Sequence, residues 1–220
     1  MSEPAGIRVG RVFGFPIFID PTMIVIVGAL AAFNLRFGFD AFGRGLAFLG
    51  LLFGSVLWHE LGHALAVRRL KLGESVIVLH GLGGVTRYKR TPEPREGLLV
   101  ALAGPGIGLA LAALLYPFAE LAGGLLGWAL GLAVTINVLL NLLNLLPMMP
   151  LDGGQVLRFA LMRRMTLERA LEITVYIGGT VLVATAIAVF ALDLGGVFVW
   201  LILLLIAAEQ VKLFRLARSS

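Results

Sequence analysis

The 220-residue sequence contains no cysteine, so disulfides and thiolate ligands are excluded and any metal must be held by His, Asp, Glu or Asn. Charge is scarce too. Only 14% of residues are charged against 59% hydrophobic, and the mean hydropathy of +0.97 lies far outside the soluble globular range. No internal repeat or low-complexity tail is visible, and little polar sequence is left for a soluble domain beside the apolar runs. The composition therefore predicts one membrane-embedded domain over residues 1–220, an all-α integral membrane protein with about six transmembrane helices. A net charge of +5 would suggest nucleic acid in a soluble protein. Here the cations read as topology signals, and no nucleic acid is expected.

The expected spans are 21–35, 46–67, 97–118, 125–146, 170–192 and 197–213. An apolar run extends from Val12 to Phe33, but Asp20-Pro21 inside it marks a helix start with proline at the first position, which shortens the regular span. The competing reading of this run is a secretory signal peptide with Arg8 and Arg11 at its basic end; Asp20-Pro21 in the would-be apolar core speaks against it. Between the second and third spans, Ser75 to His80 and Val85 to Tyr88 flank Gly81-Leu82-Gly83-Gly84, which predicts a small membrane-associated β-hairpin. Ala103-Gly104-Pro105-Gly106-Ile107-Gly108 in the third span allows another helix to approach closely.

Charge bias orients the chain. With both termini cytoplasmic, the N-terminus, second connection, fourth connection and C-terminus hold 2, 7, 4 and 3 of the 18 Lys/Arg, and the opposite face keeps Arg36 and Arg44. That asymmetry follows the positive-inside rule and supports six spans.

The second span carries His59-Glu60-Leu61-Gly62-His63, an HExxH motif. On a helix the two histidines fall on one face, a turn apart, where both can ligate one metal ion, and Glu60 beside them can act as general base on water. With three His in the chain, random order would produce this motif on the order of once in several hundred such sequences. The alternative is two buried, hydrogen-bonded histidines, but ionisable groups within membrane segments are costly and usually functional. His59 and His63 would lie roughly 13 and 7 Å below the cytoplasmic end of the span at Arg68. A catalytic zinc takes three protein ligands, and the candidates for the third are Asp152, Glu74, Glu120, Glu168, Glu172 and His80. Asp152 leads, because it shares the predicted side with the histidines and follows Pro147 and Pro150, which permit irregular backbone beside a polar cavity. The bland reading is that Asp152 caps the next helix, with Gln155 in the capping-box place. Asn137, Asn141 and Asn144 form one stripe on the fourth span; such amides bond neighbouring helices or donate to an oxyanion, and packing is the favoured role for Asn137 and Asn141.

HELGH on one span, with Asn144-Leu145-Leu146-Pro147-Met148-Met149-Pro150-Leu151-Asp152-Gly153 after another, closely resembles the site-2 protease family of intramembrane zinc metalloproteases. The resemblance implies one Zn2+ per chain held by His59, His63 and Asp152, Glu60 as the base, and Asn144 positioning substrate or stabilising the oxyanion. The Gly83-Gly84 hairpin is similar to the family's glycine-containing membrane-associated strand, where an unwound substrate adds by β-pairing, so Gly83 and Gly84 are substrate-binding candidates. It further implies single-span or signal-peptide-like membrane proteins as substrates, and a multi-pass place in a plasma or inner membrane with the active-site face cytoplasmic. No PDZ module interrupts these residues and no CBS pair follows the sixth span, so regulation through those modules is not expected. Rival functions are a metal transporter, which should place ligands at successive depths, and a non-catalytic helper. Neither needs a general base beside the metal.

Overall fold

The computed structural model describes residues 6–36, 38–81, 83–194 and 196–219, with two strands before the first helix and two after the second. The chain divides into two compact units, Met1–Thr91 with Ala103–Asn141, and Pro92–Leu102 with Leu142–Ser220.

The first unit holds a four-stranded sheet in the order β1 (Ile7–Val12), β2 (Phe15–Ile19), β3 (Ser75–His80), β4 (Gly83–Tyr88). β1 and β2 pair antiparallel around Phe13 and Gly14, whose φ values of 49° and 88° suit a tight turn. β2 then pairs parallel with β3, Ile17 opposite Ile77, and β3 pairs antiparallel with β4, Val78 opposite Val85. The predicted hairpin is present, although Leu82 of its turn lies outside the described residues. It is half of a larger sheet. The start of the apolar run at Val12 is strand as far as Ile19 and only then helix, because Phe15 and Ile17 alternate inward in period two.

Helix α1 (Pro21–Leu35) begins at the predicted residue, with Asp20 Oδ1 accepting from the Thr22 amide at 2.9 Å and its hydroxyl at 2.6 Å. α2 (Phe39–Arg69) runs 31 residues and ends on Arg68 and Arg69, which complement the negative end of its dipole. Leu61 and Ala64 of α2 pack with Phe15, Ile17, Ile77 and Leu79 in one apolar core, so the helix bearing HELGH is seated on the sheet. At the base of the hairpin, Lys89 Nζ donates to Glu74 Oε2 at 2.7 Å. That bond, and then the lysine's charge, hold the Glu74 carboxyl below its ordinary range. The small stabilisation this provides is present above the ordinary carboxylate pKa and lost as pH falls through the lowered value.

α3 (Pro94–Leu121) and α4 (Gly124–Asn144) contribute residues to both units. The second unit continues with α5 (Asp152–Met162), α6 (Leu167–Ala191) and α7 (Val197–Ser219). Thr166 caps α6 by accepting from the Arg169 amide. Gly97, at the start of α3, faces the Phe159 ring of α5 so closely that any Cβ there would lie 2.5 Å from it. Gln210 of α7 reaches the turn before α5, donating to the Met149 carbonyl at 2.9 Å.

Among the described residues four helices are long and apolar enough to cross a membrane, α2, α3, α4 and α6, where the sequence predicts six spans. α1, at 15 residues, has the bounds of the first expected span and is shorter than these four helices. Ile77 is fully buried in the sheet core and Val85 is 37% exposed on the edge strand. Ile77→Ala is therefore expected to cost about 2–5 kcal/mol and Val85→Ala far less, read as thermal unfolding midpoints in detergent. Equal shifts would mean that the sheet core does not hold the first unit together.

Candidate metal centre

Every residue from His59 to Ala64 is buried. His59, Glu60 and His63 are 4%, 5% and 7% exposed, so their polar atoms depend on protein partners. The helical i, i+4 spacing brings the two imidazoles edge to face, with ring planes at 80° and Nε2 atoms 3.1 Å apart. Two nitrogens about 2.0–2.1 Å from one tetrahedral zinc lie about 3.3 Å from each other, so the pair has the spacing of two ligands to one ion. The space at those nitrogens is kept clear by α3. A Cβ on Gly104 would fall onto the His63 ring and 2.9 Å from His59 Nε2. Two convergent imidazole nitrogens facing a glycine fit zinc, a borderline-soft ion that favours nitrogen donors.

Glu60 is held from the sheet. Thr86 Oγ1 on β4 donates to Glu60 Oε2 at 2.7 Å and lies 3.1 Å from the Glu60 backbone oxygen. A carboxylate and a carbonyl only accept, so the threonine hydroxyl is the donor. Gly84, two residues earlier and therefore on the same face of β4, leaves the room: its Cβ would lie 2.5 Å from Glu60 Cγ. On the other side of α2, Asn141 Oδ1 stands 2.7 Å from His59 Nδ1. Trp58 Nε1 donates to the Ile107 carbonyl of α3 at 3.2 Å.

His59, Glu60, His63 and Gly84 thus meet in the first unit, with Gly83 beside Gly84 at the start of β4. Asn144 closes α4, and Asp152 is the first residue of α5, both in the second unit. The residue that caps α5 is Leu151, without a side-chain cap bond, so Asp152 does not play the capping part that its sequence context allows. Among the other acids considered, Glu74 pairs with Lys89 and Glu172 with Arg169 at 3.2 Å, while Glu120 and Glu168 are exposed. His80 ends β3 opposite Gly83. Three residues that sequence reasoning did not assign to the site touch it directly: Thr86, Gly104 and Asn141. Of these, Asn141 carried a signal in the helical stripe of amides; for Thr86 the partner lies 26 positions away and nothing local announces it.

A family model described as Peptidase family M50 matches residues 47–124 and 119–185. The protein sll0528 of Synechocystis sp. is 36% identical over 69% of this chain and 43% of its own length. Rip3 of Mycobacterium tuberculosis is 34% identical over 72% of this chain and 44% of its own. Zinc metalloprotease MJ0392 of Methanocaldococcus jannaschii is 29% identical over 78% and 50%. All three carry zinc metalloprotease in their names, and the chain spans about half the length of these curated relatives or less. Among solved structures, the Site-2 Protease from Methanocaldococcus jannaschii superposes with a TM-score of 0.64 over 97% of this chain and 94% of its own, at 23% identity. At that identity the likeness is one of fold.

The clearance at Gly104 gives a direct test. Gly104→Ala places a methyl group where the two Nε2 atoms converge, and zinc affinity is expected to fall on the order of tenfold or more, measured by chelator competition, with helical circular dichroism retained. Undiminished affinity would show that an ion does not sit at this face of the histidines.

Proposed function

Because the chain belongs to peptidase family M50, we propose that it is a zinc-dependent intramembrane endopeptidase, which hydrolyses a peptide bond within or next to the membrane span of another protein. The observation that carries this reading is the arrangement on α2, where two imidazole nitrogens converge at 3.1 Å and the carboxylate between them in sequence is fixed by Thr86. A transporter or a helper has no use for that fixed carboxylate.

His59 and His63 supply two zinc ligands, and the third is assigned to Asp152 on the strength of the Asn144-to-Gly153 motif and its place in the first turn of α5. When bound, zinc supplies a Lewis acid that polarises the scissile carbonyl and makes water a stronger acid. The chain's own part is proton handling and placement. Thr86 occupies Glu60 Oε2, which leaves Oε1 to take the proton from the attacking water and return it to the departing amine. Asn144 is assigned to substrate placement or to the developing oxyanion.

A helical substrate keeps its amides bonded internally, so the reacting segment must unwind. β4 is the last strand of its sheet and bears Gly83 and Gly84, and an extended segment pairing along that edge would recover the backbone bonds lost in unwinding. Substrates are proposed to be single-span or signal-peptide-like membrane proteins. Six spans, with α1 and α7 joining the four long helices, and cytoplasmic termini and active-site face in a plasma or inner membrane, complete the proposal.

Reconstituted with a single-span substrate, Glu60→Gln is expected to lose about 10²–10⁴-fold in cleavage rate while keeping one zinc per chain. Equal cleavage by wild type and variant would remove Glu60 as the base. Asp152→Ala should lower zinc content; full occupancy would remove Asp152 from the ligand set. Since the chain lacks cysteine, Lys71→Cys and Asp40→Cys report topology by labelling from either side, and Lys71→Cys is expected to react from the cytoplasm and Asp40→Cys from the opposite face. The reverse pattern would overturn the orientation.

A further inference from the structure

We propose that Asn141 is the positioning residue for His59, fixing which imidazole nitrogen is available to a metal and where it points. This rests on the reading of His59 as a zinc ligand. Asn141 is fully buried in α4, and one neighbour of its amide has fixed polarity. Asn141 Nδ2 lies 2.6 Å from the Asn137 carbonyl, which can only accept, so the NH2 end of the amide must face it. The oxygen end is then the one 2.7 Å from His59 Nδ1. An amide oxygen also only accepts. His59 Nδ1 must therefore carry a ring proton, and in the neutral ring, the form that ligates a metal, the lone pair is then on Nε2, the atom 3.1 Å from His63 Nε2.

A separate bond ties α4 to α2, and α3 confines the Asn141 amide. Asn137, 1% exposed, donates through Nδ2 to Ser55 Oγ on α2 at 2.8 Å and to the Ala133 carbonyl at 2.9 Å, tying α4 to α2 one turn before the histidine. Gly108 of α3 faces the Asn141 amide, and a Cβ there would lie 2.5 Å from the Asn141 Cγ. The amide cannot swing away from His59 without losing the Asn137 bond, and a side chain at Gly108 would deny it its place. Ligating histidines commonly donate the second ring N–H to such an acceptor, whose loss weakens metal binding about 10–100-fold.

The test measures zinc affinity of the purified full chain by chelator competition for wild type, Asn141→Leu and Asn137→Leu. Asn141→Leu is expected to bind about 10–100-fold more weakly, while Asn137→Leu, which breaks the interhelical bond but leaves an acceptor for His59, stays close to wild type. If wild type binds zinc and Asn141→Leu binds it equally well, the positioning role is wrong and the metal site stands. If wild type binds no zinc, the metal reading fails and takes this inference with it. Should Asn141→Leu not fold, 15N spectroscopy of histidine-labelled wild type, assigned with His59→Gln, decides: a proton on Nδ1 is expected, and a proton on Nε2 overturns the proposal.

Discussion

Two imidazoles and a carboxylate sit on one stretch of an apolar helix, each less than a tenth exposed, and most of what surrounds them follows from that. In such surroundings an unsatisfied polar group costs several kcal/mol. α2 therefore has to be met from several directions by groups of the right polarity. β4 brings the Thr86 hydroxyl to Glu60, and α4 brings the Asn141 amide to His59. The site is less a cluster of reactive residues than a helix whose polar groups have each been given a partner.

This requirement also accounts for a sheet in a largely helical chain. β4 offers both a side chain, Thr86, and a glycine backbone thin enough to lie against Glu60. The cost of using strands is an edge. β4 pairs on one side with β3, and among the described residues no strand pairs with its other side. In water that edge would be solvated; at membrane depth its amides and carbonyls need another backbone. Under the proposed function, a peptide drawn out of its own helix has the complementary need, and pairing would relieve the two deficits together.

The parts of this arrangement that sequence made legible are those with short-range causes. HELGH announces itself because its residues act together within five positions, and Asp20-Pro21 fixes the start of α1 because capping is local chemistry. The first hairpin was hidden by its turn: Phe13 adopts φ of 49° although it is neither glycine nor asparagine, and the apolar run around it masks the alternation of Phe15 and Ile17. Asn141 was visible as one member of a stripe, but its partner lies 82 positions away, and no local pattern distinguishes the amide that packs from the one that meets His59.

The glycines of α3 carry the same distinction. Ala103 to Gly108 reads as a small-residue stretch for close helix packing, a role any of its glycines can fill. The three differ sharply in what they face. Gly104 and Gly108 stand four residues apart on one face, the first against both histidine rings and the second against the Asn141 amide. Gly106, on another face, has nothing within 4 Å. Close packing alone does not require that a missing side chain coincide twice with a polar group of the site. A single stripe of α3 gives space both to the two histidines and to the Asn141 amide, so under the proposed reading its two glycines belong to the metal centre and Gly106 does not.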